Sequence, residues 1–319
     1  MDVVYACNEF YVDQTVVSMV SLITHNKDVR LHLVSDNISN DQLKKLKKTL
    51  YNYNYDYELN VVEADELLRG ICISQQGRHP RTIYAKLFLA NIINSDRLLY
   101  MDSDVIITDS LEDIFQRNME NELAAGVMMP YSASIKNKVG LDRSDPFICD
   151  GIVLLNLKSW RAQKISEKCR EFLRACKGTP YMLSEGVLNY VCKGFMGILS
   201  PRYNLMPSMI FYTRQQIIRL FEPNLYYDQQ ELRNAEEQPA AIHFMNELYN
   251  RPWYEPCDHP FRETYREIER QLFGNRKYEI NKISNHTCLN RWLYKKIPFD
   301  LYLILYKCRH GISEIWRRK

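Results

Sequence analysis

The sequence predicts an α/β fold with a mostly parallel central sheet, and three observations carry that prediction. Short apolar strands alternate with amphipathic helices through the first part of the chain. The strands stop on polar residues, as they do where the carboxyl ends of a parallel sheet line a ligand crevice. A chain of 319 residues, 46% hydrophobic and 25% charged, is long enough for one large domain and an appendage.

In chain order, Val3 to Cys7 reads as the first strand and Asn8-Glu9 as a polar corner. A helix is expected from Asp13, its N-cap, with Val16, Val17, Val20 and Ile23 on one face. Leu31 to Val34 reads as a second strand ending at Ser35-Asp36, and Ser39 to Gln42 forms a capping-box pattern before Leu43, Leu46 and Leu50. Leu59 to Val62 completes a β-α-β-α-β series, and the alternation recurs to about residue 130. Leu98 to Met101 is a buried strand, Val105 to Ile107 another, and Asp109-Ser110-Leu111-Glu112 a helix cap and first turn.

Between those last two strands lies Asp102-Ser103-Asp104. Two carboxylates one residue apart at a strand end repel each other unless something positive sits between them. A hard divalent cation such as Mn²⁺ or Mg²⁺ takes carboxylate oxygens and keeps positions for phosphates, so the pair reads as a clamp for a metal-diphosphate complex. The sequence has neither G-x-G-x-x-G nor G-x-x-x-x-G-K-[ST], so no glycine-rich loop is expected to cradle the phosphates.

The net charge of +3 is unevenly spread: residues 276–319 hold eleven Lys/Arg against three Asp/Glu, leaving the remainder at −5. Nine cysteines include no C-x-x-C pair, and Cys7, Cys149 and Cys192 lie in apolar runs, which suits reduced thiols and speaks against a zinc cluster. The amino terminus has no basic and apolar leader, and no run of 18 apolar residues occurs, so a cytoplasmic protein is expected.

The stretch from Arg97 to Phe115 resembles the Asp-x-Asp segment of the family 8 glycosyltransferases, retaining enzymes that use nucleotide sugars, and similar stretches extend over residues 2–255. The resemblance implies a GT-A type, Rossmann-like catalytic domain over residues 1–260. Val3 to Asn8 with Tyr11 resembles the family's nucleotide corner, placing Ala6 and Asn8 at the base, with Phe10 where a second polar contact usually stands. Arg81 to Leu87 resembles its Tyr-x-Arg-Leu helix with Lys86 in place of arginine, a charge for the diphosphate without the bidentate fork, or else a solvated helix residue. Ala240 to Asn246 followed by Arg251-Pro252-Trp253 is similar to the family's His-x-x-Gly-x-x-Lys-Pro-Trp motif, with Asn246 for glycine, Arg251 for lysine and two extra residues between His243 and Arg251. It implies His243 as third metal ligand with Asp102 and Asp104, and Arg251, Asn246 and Ser103 as contacts to the nucleotide sugar.

Two further departures concern the sugar. Phe147 to Trp160 is similar to a family strand that opens Asn-Ala-Gly or Asn-Ser-Gly, but Cys149-Asp150-Gly151 stands there. Ser184-Glu185-Gly186-Val187-Leu188-Asn189 sits where Asp-Gln-Asp-x-x-Asn is common, so Ser184 replaces an acid and Glu185 an amide. Glu185 and Asp150 are accordingly the candidate catalytic carboxylates, able to stabilise an oxocarbenium-like centre or to act as nucleophile, and which of them matters stays open.

Residues 261–319 are expected to be helical, basic and aromatic, with Trp292, Tyr294, Phe299, Tyr302, Tyr306 and Trp316 among the cations. Such a tail suits an anionic membrane surface on the cytoplasmic face, or packing against the domain; no nucleic-acid module accompanies the charge. The sequence thus reads as a metal-dependent retaining hexosyltransferase taking glucose or galactose from a UDP-sugar, with Mn²⁺ or Mg²⁺ as cofactor and a surface-glycan or lipid-linked acceptor. A nucleotide-sugar pyrophosphorylase and a catalytically silent glycan- or membrane-binding scaffold are the rivals.

Overall fold

Successive residues of β1 (Asp2–Asn8) are apolar, and Val3, Val4 and Tyr5 are all fully buried, as in a strand covered by helices on both faces. In this computed structural model, residues 1–53, 55, 58–74, 80–281 and 284–316 are described, with the side chains of 286 and 309–316 excepted. The expectations that rest on Lys282, Arg309, Trp316, Arg317, Arg318 and Lys319 lie outside the described residues. β1 pairs in parallel with β2 (Arg30–Asp36), which pairs in parallel with β3 (Asn60–Glu63).

The crossovers are α1 (Val12–His25) and α2 (Asn40–Asn52), followed after β3 by the single turn α3 (Ala64–Leu67). At α2 the capping box forms as expected, Ser39 Oγ accepting from the Gln42 N–H at 3.3 Å and Gln42 Oε1 from the Ser39 N–H at 3.0 Å. At α1 the N-cap is Tyr11, without a side-chain cap bond, so the expectation of Asp13 there is corrected. Asp13 lies in the first turn, where its charge complements the helix dipole, and it pairs with Arg276 at 2.6 Å. Arg81–Leu87 is a 3₁₀ helix.

β4 (Leu98–Met101) joins β1 in parallel, and β5 (Val105–Ile107) leaves the main sheet after the Asp102-Ser103-Asp104 corner. The helix that follows, α4 (Glu112–Gln116), has Leu111 rather than Asp109 at its N-cap. Next come β6 (Ala124–Met128), α5 (Ala133–Val139), β7 (Ile148–Leu155), α6 (Leu157–Ala162), α7 (Ile165–Ala175), α8 (Leu183–Val191) and β8 (Met196–Ile198). The seven-stranded order is β3-β2-β1-β4-β7-β6-β8, with β7 antiparallel to both neighbours and every other pairing parallel. Because β7 runs the other way, its start meets the end of β4: Met101 faces Ile152, and the Asp102 N–H donates to the Gly151 carbonyl at 2.8 Å.

Beyond β8, α9 (Pro207–Phe211), α10 (Arg214–Phe221) and α11 (Gln229–Glu237) lead to β9 (Ala241–His243), which pairs antiparallel with β5. A second small ladder joins β10 (Tyr254–Glu255) to β11 (Glu279–Ile280) around α12 (Arg262–Phe273).

The basic tail forms α13 (Asn285–Lys296) and α14 (Phe299–Trp316), and its aromatics turn mostly inward. Tyr302 is 1% exposed and its hydroxyl lies 2.7 Å from that of Tyr212, while Tyr294 stacks on Phe211 with centroids 4.7 Å apart and bonds Gln216 at 2.9 Å. Tyr306 meets Phe221, Asp300 pairs with Arg219, and Lys307 pairs with Glu222. One face of the tail therefore packs on α9 and α10, while Leu289, Trp292, Leu301, Ile304 and Leu305 remain exposed. No helix among the described residues is long and apolar enough to cross a membrane.

Candidate active site

The pairing of β5 with β9 sets Val105 opposite His243, and the Phe244 N–H donates to the Asp104 carbonyl at 2.8 Å. That register delivers the His243 imidazole to the Asp102-Ser103-Asp104 corner. Single donor atoms of Asp102, Asp104 and His243 all lie within 4.8 Å of one another. His243 Nε2 is 3.1 Å from Asp104 Oδ1, and Arg251 Nη2 donates to Asp104 Oδ2 at 2.8 Å. Burial opposes the Asp104 charge, but His243 and Arg251 outweigh it and hold the carboxyl far below its usual range. Asp102 shows the converse: burial, helped by the charges of Asp104 and Asp150 and opposed by Lys86, pushes its carboxyl up to about 6. Two carboxylates that titrate so far apart are short of positive charge on the Asp102 side.

Two oxygens and an imidazole suit Mn²⁺ or Mg²⁺, and the orientation of His243 fits the same use. Its Nδ1 lies 3.0 Å from Asn204 Oδ1, in a segment held against β9 by the His243 N–H to Leu205 carbonyl bond at 3.0 Å. With Nδ1–H donating to that oxygen, Nε2 keeps its lone pair for a cation. Gly151 completes the wall, because a Cβ there would fall 2.3 Å from His243 Cε1 and 3.0 Å from Asp102 Oδ2.

On the other side of Asp102, Lys86 is 2% exposed, so it is not a solvated helix residue. Its ammonium donates to the Asp150 carbonyl at 2.9 Å, lies 2.8 Å from Asp150 Oδ2 and 3.9 Å from Asp102 Oδ1, and sits 4.1 Å over the Tyr100 ring. Burial works against that charge, and Asp150 and Asp102 more than offset it, leaving Lys86 a stronger base than an ordinary lysine. Ser184 Oγ donates to the same Asp150 Oδ2 at 2.7 Å. Glu185, half-buried in the first turn of α8, is pushed well above the usual carboxylate range by burial and by the neighbouring Asp150. The backbone before it is strained, with Met182 and Leu183 at φ of 62° and 54°.

Ala6 and Asn8, expected at the base, stand at the carboxyl end of β1, where Asn8 Oδ1 accepts from the Phe10 N–H at 3.2 Å and the Phe10 ring stands 77% exposed. Tyr11 OH accepts from Arg251 Nη1 at 2.7 Å, tying this corner through Arg251 to Asp104. Ser103, expected to face the ligand, turns its hydroxyl inward to Thr15 Oγ1 at 2.7 Å and is 8% exposed. Asn246 is exposed in the turn after β9. Sequence reasoning missed Asn204, Thr15 and the steric role of Gly151. Only Gly151 carried a signal, as a glycine within an otherwise apolar run.

A protein-family model described as Glycosyl transferase family 8 matches residues 2–257. The chain belongs to glycosyl transferase family 8. Membership makes this family 8 chain a glycosyltransferase. It is 19% identical over 254 residues to General stress protein A of Bacillus subtilis, covering 78% of this chain and 85% of that protein. It is 22% identical over 318 residues to glycosyltransferase GlyA of Streptococcus pneumoniae, covering 98% of this chain but 40% of that longer protein. The lipopolysaccharide 1,2-glucosyltransferase of Escherichia coli K12 is 24% identical over 213 residues, 64% of this chain and 62% of that one. Among solved structures, the galactosyltransferase LgtC in complex with donor and acceptor sugar analogues superposes with a TM-score of 0.71 at 21% identity, over 87% of the family 8 chain and 98% of its own. That likeness extends the GT-A type fold to this chain, with β7 reversed beside β4.

Proposed function

We propose that this chain is a metal-dependent, retaining hexosyltransferase that moves glucose or galactose from a UDP-sugar to a surface-glycan or lipid-linked acceptor. The observation that carries the reading is the convergence of Asp102, Asp104 and His243 where β4 and β9 end and β5 begins. These three residues would hold Mn²⁺ or Mg²⁺, which supplies Lewis-acid charge to a diphosphate leaving group. Arg251, anchored on Asp104 and Tyr11, adds a fixed cation beside the same leaving group, so no proton need be delivered to it.

The acceptor hydroxyl attacks from the face that the diphosphate leaves, and its proton passes to the departing phosphate. Positive charge at the anomeric carbon is met by Asp150 and Glu185. Burial and the neighbouring Asp150 charge raise the Glu185 carboxyl, so a cation developing beside it favours its charged form.

Acceptor delivery is assigned to the exposed side of the tail. Leu289, Trp292, Leu301, Ile304 and Leu305, flanked by the exposed Lys295, Lys296 and Lys307, support contact with an anionic cytoplasmic leaflet. Exchanging Trp292 and Ile304 for glutamate is expected to abolish sedimentation with anionic vesicles and to spare activity on soluble acceptors.

Calorimetric titration with a panel of UDP-sugars, with Mn²⁺ or with EDTA, on wild type and Asp104→Ala, with released UDP assayed in parallel, tests the reading. Binding and slow hydrolysis that need both the metal and Asp104 are expected. Binding of no donor under any metal condition would sink it.

A further inference from the structure

We propose that Lys86 and Ser184 clamp one oxygen of Asp150 so that its other oxygen takes a hydroxyl of the transferred sugar, making Asp150 the residue that selects the hexose. The inference rests on the transferase reading and changes the part Lys86 plays in it, from a contact to the diphosphate to a positioning residue.

Among the described residues, the two donors that reach the Asp150 carboxylate, Lys86 Nζ at 2.8 Å and Ser184 Oγ at 2.7 Å, both go to Oδ2. A carboxylate has about four lone-pair sites, so Oδ1 keeps its capacity to accept. The side chain is 13% exposed, and Oδ1 is not among the sequestered oxygens that lack a partner, so it stays accessible to a ligand. Lys86 has no such freedom. With 2% exposure, the Tyr100 ring beneath it, two contacts to Asp150 and Asp102 Oδ1 further off at 3.9 Å, its ammonium is directed chiefly at Asp150.

Position adds the ligand. Asp150 precedes Gly151, whose missing Cβ makes room for the His243 ring, and Ser184 precedes Glu185. Asp150 thus stands between the metal triad, which would fix the diphosphate, and the acid on α8. A hexose joined to that diphosphate has to pass this point. Only a fixed acceptor can tell one epimer from another, since the wrong hydroxyl leaves it unpaired.

The positions themselves reinforce the case. In the pattern this chain resembles, an acid occupies the place of Ser184 and a small residue the place of Asp150. Here both have changed, and the two side chains touch. The exchange keeps one carboxylate between the two positions while moving its charge from the helix to the strand.

The test is calorimetry of UDP, UDP-glucose and UDP-galactose, each with Mn²⁺, on wild type, Asp150→Asn, Ser184→Ala and the reciprocal double variant Asp150→Ser with Ser184→Asp. Asp150→Asn is expected to weaken the preferred UDP-hexose by about ten-fold or more, from loss of a charge-assisted bond, and to leave UDP unchanged. Ser184→Ala should narrow the preference between the two hexoses with UDP again unchanged, and the double variant should bind the preferred donor better than Asp150→Asn. Equal weakening of UDP and UDP-hexose, or an unchanged hexose preference in both single variants, would overturn the inference. Should Asp150→Asn fail to fold, Ser184→Ala, which removes a single hydroxyl, decides alone. A wild type that binds neither UDP nor either donor removes the transferase reading and this inference together. A wild type that binds donors while the variants keep its preference removes only the inference.

Discussion

His243 is presented to the corner at Asp102 by two neighbours that offer no metal ligand themselves. Gly151 leaves the space its ring occupies, and Asn204 holds the far side of the ring. Gly151→Ala places a methyl inside van der Waals distance of both His243 and Asp102, and a displacement of that order costs about 100-fold in rate. The variant should therefore lose metal-dependent UDP release while keeping the circular dichroism of wild type. Asn204→Ala removes the acceptor that orients the imidazole, and apparent Mn²⁺ affinity in the presence of UDP should fall by roughly 10- to 100-fold, read as a shift of the metal titration midpoint at constant kcat.

At the scale of elements, what matters is which strands and helices meet. β5 and β9 pair across more than a hundred residues, and Asp104 and His243, 139 positions apart, come into contact only through that pairing. The tail shows the same dependence. Tyr302 on α14 inserts among Tyr212, Tyr294 and Phe299, and its hydroxyl also donates to Asn290 Oδ1 at 3.1 Å. Truncating so buried an aromatic costs about 3 kcal/mol or more, so Tyr302→Ala should lower the denaturant midpoint and open α14 to proteolysis at its loop. An unchanged proteolytic pattern would show that the tail is held by contacts other than these.

Across the whole molecule, stability should fall in mild acid through one buried imidazole. His259 is 2% exposed, lies between Phe244 and Tyr249 at 4.7 and 4.9 Å, and accepts from the Phe261 N–H on Nδ1. Burial lowers its pKa to about 4. The unfolded chain, with an ordinary histidine near 6.5, then binds the proton more readily than the folded one between those values. Stability is therefore full above about pH 6.5 and lost as pH falls towards 4, by on the order of 3 kcal/mol if this site acts alone. Urea unfolding of wild type and His259→Phe across that range tests the sign. The variant should be less stable at pH 8, since the Phe261 N–H loses its acceptor, and should show a flatter acid limb.

By itself the sequence determined what short-range chemistry encodes. The alternation of strands and helices, the capping box at Ser39 and the paired carboxylates after Leu98 to Met101 were legible because period, cap and strand end are written in adjacent residues. The family pattern extended that reading to His243. Start positions were less legible: α1 begins at Val12 and α4 at Glu112, because the chain entering each helix, and not the nearest Asp, sets the first turn. The direction of side chains was decided by tertiary structure alone. Ser103 faces Thr15, Lys86 is bound to Asp150, Ser184 meets Asp150 across 34 positions, and the tail aromatics pack on α9 and α10. A charged or aromatic residue reads the same in sequence whether it faces a ligand, a membrane or its own core. The partner that satisfies it comes from a distant segment, and only the packed register of that segment selects among them.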